Sequence, residues 1–278
     1  MIKYYGARAH DFGHIKTDEL IAKLVEHHID GVQLAPLKLF KDLTSHEAFI
    51  EGHFKNEVLS AFRESGKQIH VLGCYLNQTH PDAAKRAQFK AIVKGYIDVA
   101  SLDRKTCECV ATESFTLNAD GSPHLDDHND IGYKAFLKEV LEIVEYAEEK
   151  GVDFAVEPAH HHILYDIKTT QRLITDVASP RLKLIFDPCN LMTTELAMKQ
   201  EQFFEAFLTQ FETHILDLHL KDFEYVEGHK KFLSAGNGAL KYKALYELVQ
   251  KQKSPINVLL EEFDKNQILK AISHMKQF

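Results

Sequence analysis

Four stretches of the chain end a run of branched or aromatic residues on groups that can bind a cation. DFAVEP (153–158) brings up Glu157, LKLIFD (182–187) ends on Asp187, HILDLHLKD (214–222) carries His219 near its end, and INVLLEEF (256–263) reaches Glu261 and Glu262. Carboxylates gathered at one place repel each other strongly unless a cation sits among them. Three oxygen donors and one imidazole suit one divalent metal ion with positions left open for substrate. Mn²⁺ and Mg²⁺ match the oxygen-rich set, and Zn²⁺ and Co²⁺ are compatible with it. Such an ion acts as a Lewis acid beside a carbonyl or hydroxyl oxygen. Taken singly, each group has an ordinary explanation. Asp187 before Pro188 can cap a turn, Glu157 before Pro158 can be a loop acid, and His219 can be a hydrogen-bonded core histidine. The expectation rests on their joint placement.

Joint placement needs a scaffold that brings several strand ends together. Short β-rich runs alternate with longer amphipathic ones along the whole chain. Strands are expected at 2–9, 31–36, 69–76, 106–112, 153–158, 182–187, 214–222 and 256–263. Helices are expected at 17–28, 54–65, 82–100, 133–150, 168–177, 199–209, 240–251 and 264–276. The first helix reads with Thr17 as N-cap and Leu20 and Leu24 on one face. The fourth repeats Phe136, Val140, Ile143, Val144 and Ala147 at helical spacing and stops at Gly151. Eight strand–helix units in 278 residues predict an α/β fold, a (β/α)₈ TIM barrel forming one domain over 1–278. The competing doubly wound sheet lacks its glycine fingerprint, since GARAHDFGH follows the first strand.

In such a barrel, chemistry sits at the C-terminal strand ends. Strand alternation places 153, 155 and 157 on one face, as it does 183, 185 and 187, and 217, 219 and 221. Each set puts a polar group on the face expected to line the barrel mouth, with Val or Leu turned toward the helices.

Composition narrows the partners. The chain is 45% hydrophobic and 27% charged, with a net charge of −8. An acidic surface repels phosphate backbones, so no nucleic-acid partner is expected. No apolar run is long enough to cross a bilayer, and MIKYYGARAHDFG has no signal-type apolar region. Four cysteines are too few for a disulfide framework in a chain of this size. The expected setting is cytoplasmic, with reduced thiols and no membrane partner. A homo-oligomer is left open.

VEP at 156–158, FDPCN at 186–190, LHLKD at 218–222, SAGNGAL at 234–240 and LLEEF at 259–263 occur in an order that resembles the sugar phosphate isomerase/epimerase family, the xylose-isomerase-like TIM barrels. The resemblance implies that Glu157, Asp187, His219 and Glu261 bind one divalent metal. Glu261 is chosen over Glu262 because the family's last strand usually ends Glu-x-Phe. It further implies a metal-dependent isomerase or epimerase of a small sugar or sugar derivative. Glu157 or Glu261 would take a proton from the carbon next to a carbonyl, giving an enediolate. Dehydration starts from the same proton removal.

Asn190 stands where members often carry a histidine, and Tyr225 where enzymes of free ketoses often carry an arginine, which leaves the substrate open. Substrate contacts are expected from Asn190, from Lys221 on the face of His219, from Glu113 at the end of strand four, and from His80 after strand three beside Asn77. For Lys221 the alternative is a salt bridge to one of the acids. Cys107 and Cys109 are expected to fill the core. His160, His161 and His162 read as a loop beside the site, with at most one of them on substrate. Gly236 and Gly238 read as turn residues. Two other functions fit less of the pattern: an endonuclease IV-like metal-dependent phosphodiesterase, for which His10 and His80 would be relevant, and a non-catalytic sugar-binding barrel.

Overall fold

The computed structural model describes residues 2–263 and 268–276. Eight parallel strands close into a barrel: β1 (Ile2–Arg8), β2 (Gly31–Leu34), β3 (Gln68–Gly73), β4 (Cys107–Glu113), β5 (Asp153–Glu157), β6 (Leu182–Phe186), β7 (Ile215–Leu220) and, after an antiparallel hairpin of β8 (Asp222–Val226) and β9 (His229–Leu233), β10 (Ile256–Leu260). Each strand pairs with its neighbours around the ring, and β1 closes it between β2 and β10. This is the (β/α)₈ barrel that the alternation predicts.

Two apolar layers hold it together. The outer one packs helices on the strands' outward faces. The helix Asp130–Lys150 buries Phe136, Val140, Ile143, Val144 and Ala147, the predicted stripe. Each of the larger side chains contributes about 1.5–3 kcal/mol on burial, and the Ala147 methyl less. Its N-cap is Asn129, which accepts from the Ile131 amide, so the helix starts earlier than expected; Gly151 ends it at φ +67°. Thr17 is the first residue inside its helix rather than the cap. Lys16 occupies the cap position without a side-chain bond, and Asp18 and Glu19 in the first turn complement the helix dipole instead. The inner layer is small: Val71, Cys109, Ala111, Ala155 and Ile185, all fully buried. All four cysteines are free and buried. The expected start of the last helix, 264–267, lies outside the described residues; the helix Ile268–Met275 follows.

The outer layer also fixes the strand tips. Phe186, the last residue of β6, stacks on Phe207 of the helix Gln200–Gln210, with centroids 4.1 Å apart. That anchors β6 one residue before Asp187. Most strands stop earlier than predicted, β3 at Gly73 and β10 at Leu260. Asp187 and Glu261 therefore lie just beyond the paired ladder, with their side chains free to face the mouth.

The hairpin was not expected, because its exposed, charged residues show no apolar alternation. Its turn is Glu227–Gly228, both at positive φ (50° and 82°), the geometry of a two-residue hairpin turn. Its base is tied down by Asp222, fully buried, which accepts the amides of Phe223 (2.8 Å), Gly238 (2.8 Å) and Leu240 (2.9 Å). Gly236, at φ +81°, shapes that turn as predicted. Its neighbour Gly238 is needed for close approach, since a Cβ there would lie 2.3 Å from the Phe223 carbonyl oxygen.

The barrel floor is polar. His70 is fully buried and stacked on Tyr4, with centroids 5.3 Å apart. It fills space that glycine leaves open, because a Cβ on Gly31 would lie 2.6 Å from His70 Nε2. Glu108 accepts from Asn257 Nδ2 at 2.8 Å and lies 3.4 Å from His70 Nδ1. Burial would raise its pKa, but His70, Lys3 and Asn257 outweigh this and push it down to about 2. Asp217 is fully buried, and neither of its oxygens has a hydrogen-bond partner among the described residues. Burial pushes its carboxyl up to about 6 despite the pull of His70 and His219.

Two outcomes follow. Replacing Asp222 by Ala takes the acceptor from three amides, two of them buried, and lowers unfolding free energy by roughly 2–4 kcal/mol, read as an earlier urea midpoint. Asp217→Asn has the opposite sign. A carboxyl raised from 3.8 to about 6 on folding costs stability as pH rises through that window, and the cost is complete above it. The variant is therefore more stable than the parent at pH 8, by roughly 1–3 kcal/mol, and indistinguishable near pH 4 in thermal melts. Destabilisation at pH 8 would refute this.

Candidate functional site

At the C-terminal rim, β5, β6, β7 and β10 bring up Glu157, Asp187, His219 and Glu261, each at most 4% exposed; the first three converge, and Glu261 stands beside them against His219. His219 Nδ1 lies 3.2 Å from Glu261 Oε1 and 3.6 Å from Glu157 Oε2. Neither ring nitrogen of His219 makes a hydrogen bond with proper geometry, nor does Asp187 Oδ2. Among the described residues, Glu157, Asp187 and His219 offer donor atoms all within 4.8 Å of one another. Buried donors of this type, converging and with both His219 ring nitrogens left unbonded among the described residues, fit a divalent ion.

Asp187 does two things. Its Oδ1 accepts the Asn190 amide at 3.0 Å, capping the short helix Pro188–Leu191. Its Oδ2 faces the site, 2.6 Å from the Lys221 ammonium. The turn-capping reading of this residue is realised through Oδ1, and Oδ2 is left directed at the site.

The same rim holds cations. Lys221 Nζ also donates to Glu261 Oε2 at 3.0 Å. Both readings of this lysine thus meet in one place, since it bridges two acids and lines the cavity. Arg8, at the end of β1, meets Asp11 (2.7 Å), Glu262 (2.9 Å) and, at 3.6 Å, Glu261. Glu262 is the outward neighbour, at φ +53°, so the two adjacent glutamates diverge. Asn190 Nδ2 donates to Glu157 Oε1 at 2.5 Å.

These neighbours push the two rim glutamates apart. Burial raises Glu157, and His219 only partly offsets it. Burial would raise Glu261 too, but Lys221, His219 and Arg8 outweigh it and hold the carboxyl well below the usual range. Burial disfavours the His219 imidazolium, yet Glu261 and Glu157 overcome this and raise its pKa to about 9.

A cavity of about 190 Å³ opens above these groups, lined by Arg8, His10, Gln33, Lys38, Tyr75, Glu113, Glu157, Ala159, His161, His162, Asn190, Lys221, Glu261 and Glu262. A larger groove of about 850 Å³ lies elsewhere, between His14–Glu19 and the 40–61 segment. Among the described residues, the converging set of buried donors lies beneath the smaller cavity, which is therefore the candidate site.

Of the expected contacts, Asn190, Lys221 and Glu113 line this cavity. Glu113 lies 3.6 Å from His162 Nε2. Its side chain is 31% exposed, but only into the narrow cavity. Burial there and the acids around it raise its pKa, though Lys38 and Lys221 pull the other way. His80 is placed differently. Its Nδ1 accepts the Asp82 amide at 3.0 Å and its ring meets Phe89 edge-on, so it builds the start of the helix Ala83–Leu102. Asn77 ties loops together, donating to the carbonyls of Thr116 and Asn118. The three consecutive histidines lie beside the site as expected, and two of them, His161 and His162, line the cavity.

Arg8, Gln33 and Tyr75 were missed. Arg8 ends β1 and Gln33 is the last residue but one of β2, where it donates to the Tyr75 hydroxyl. The strand-end rule that found Glu157 would have found Arg8 and Gln33 had it been applied to the first strands. Lys38, in the short helix Pro36–Leu39, had no such signal.

The hairpin roofs one side. Lys230 Nζ donates to the carbonyls of Cys189 (2.7 Å), Met192 (3.1 Å) and Asn190 (3.3 Å), and Tyr225 donates to Met192 O at 3.1 Å. These bonds clamp the segment after Asp187 against β8 and β9.

Solved structures share this architecture at low identity. The chain is similar to the IolI protein with a bound zinc atom, with TM-score 0.72, 14% identity, and 99% of this chain and 96% of that one covered. It is similar to D-psicose 3-epimerase in the presence of D-fructose, with TM-score 0.69, 14% identity, and 94% and 85% covered. It is also similar to the 3-keto-D-glucoside 4-epimerase YcjR from E. coli, with TM-score 0.73, 12% identity, and both chains covered in full at 100%. At these identities the likeness is one of fold. Among proteins of curated function, none matches the sequence. The family described as xylose isomerase-like TIM barrel matches residues 21–278. With nearly the whole sequence matched and the strands closed into the barrel, the chain belongs to the xylose isomerase-like TIM barrel family.

Proposed function

We propose that this protein is a divalent-metal-dependent isomerase or epimerase of a small sugar or sugar derivative. One observation carries the reading: two buried carboxylates, Glu157 and Glu261, flank the same imidazole nitrogen at 3.6 and 3.2 Å beneath a small polar cavity. Glu157, Asp187, His219 and Glu261 would hold the ion, which when bound supplies Lewis acidity to a carbonyl and its neighbouring hydroxyl. Sugar-epimerase neighbours support the substrate class, and a zinc-bound neighbour supports the metal.

The protein's own groups divide the work. One of the two rim carboxylates, Glu157 or Glu261, would take a proton from the carbon beside the carbonyl, and the other would stand ready to return one. Asn190 orients Glu157 through its 2.5 Å bond. Lys221 and Arg8 stabilise negative charge on the Glu261 side. A cavity of about 190 Å³ accommodates a molecule of a few carbons with little free water. Return of the proton to the opposite face of the same carbon gives epimerisation, and return to the adjacent carbon gives aldose–ketose isomerisation.

Elemental analysis of the purified protein is expected to give one equivalent of divalent metal, and none in Asp187→Ala. With Mn²⁺ added, incubation in D₂O with a panel of small ketoses and aldoses is expected to wash deuterium into the carbon next to the carbonyl. Glu157→Gln should slow this by about 10²–10⁴-fold while retaining metal. Nicking of abasic-site DNA, or sugar binding with metal bound and no exchange on any sugar, would overturn the assignment.

A further inference from the structure

The Lys221 ammonium contacts oxygens of two of the four residues that would hold a divalent ion. Lys221 follows directly after β7, on the face of His219, and its stem runs inward beneath the hairpin, with Nζ 4.5 Å from the Phe232 ring centre. The ammonium lies 2.6 Å from Asp187 Oδ2 and 3.0 Å from Glu261 Oε2, and the residue is 4% exposed. Asp187 is also one of the three residues whose donor atoms converge. Arg8 cannot serve these oxygens in its place, because it is tied to Asp11 and Glu262 and reaches only Glu261, at 3.6 Å.

A buried carboxylate cluster is unstable without a positive charge, and a compact ammonium on a flexible four-carbon stem can supply one without any ligand. Two cations cannot share the same oxygens at contact distance, because their repulsion in a buried site is large. We propose that Lys221 and a divalent ion are alternative partners for Asp187 and Glu261, so that arrival of the ion drives the lysine off these oxygens and into the cavity it already lines. The inference rests on the metal reading above. Lys221 then has two duties: it holds the acids together before metal binds, and afterwards it presents a positive charge to the substrate oxygens. Metal affinity is lowered by the need to displace it, since anything that stabilises the unliganded state weakens apparent binding.

The test combines calorimetric titration with Mn²⁺ and thermal unfolding, with and without saturating Mn²⁺, on the parent chain, K221M and K221Q. Both variants should bind Mn²⁺ at least tenfold more tightly than the parent. Without Mn²⁺ both should melt at lower temperature than the parent, and with Mn²⁺ that deficit should vanish or reverse. If K221M does not fold without metal, its recovery on adding Mn²⁺ is the same expected result. Unchanged affinity together with an equal melting deficit under both conditions would make Lys221 a simple structural pair and overturn the displacement, leaving the metal site standing. Failure of the parent and both variants to bind Mn²⁺ would overturn the metal reading and this inference with it.

Discussion

Charge neutralisation at the barrel rim is the constraint on which this structure turns. Glu157, Asp187 and Glu261 are nearly or fully buried and grouped around one imidazole. Ionised carboxylates are not tolerated in such surroundings unless positive charge or hydrogen-bond donors meet them. The fold answers with Lys221, Arg8, His219 and the Asn190 amide, each directed at a particular oxygen. The site is thus a balance of opposing charges rather than a set of acids alone.

That balance depends on packing some distance away. Stacking of Phe186 on Phe207 sets the height of β6 and so the reach of Asp187. Three carbonyl bonds from Lys230 fix the segment that carries Asn190. Asp222, through three amides, anchors the hairpin that bears Lys230. Each is an uncharged or remote interaction, yet a shift in any of them would change distances among buried charges, where short changes have large effects.

Most of the barrel was legible in the sequence because strand alternation and helix periodicity are strong, repeated signals. Glu157, Asp187, His219 and Glu261 were readable for the same reason, since each lies at or just beyond the end of an apolar strand. Failures came where those signals stop. Thr17 was misread by one position because charged first-turn residues can replace a cap. The hairpin escaped notice because its exposed strands bury little. His80 was assigned to the cavity on loop position alone, and in the structure its ring serves a helix start. Lys38 comes from a short helix whose direction no local pattern specifies. Lys221 was seen as either a substrate contact or an ion-pair partner, and only coordinates could show that one position allows both.

The lower end of the barrel has a consequence for traffic. His70, set into the gaps left by Gly6 and Gly31, and the tight plug of Val71, Cys109, Ala111, Ala155 and Ile185 leave no passage through the middle. Whatever enters must depart by the same doorway. With about 190 Å³ and a single entrance, a small molecule held there would have to leave before the next could come in.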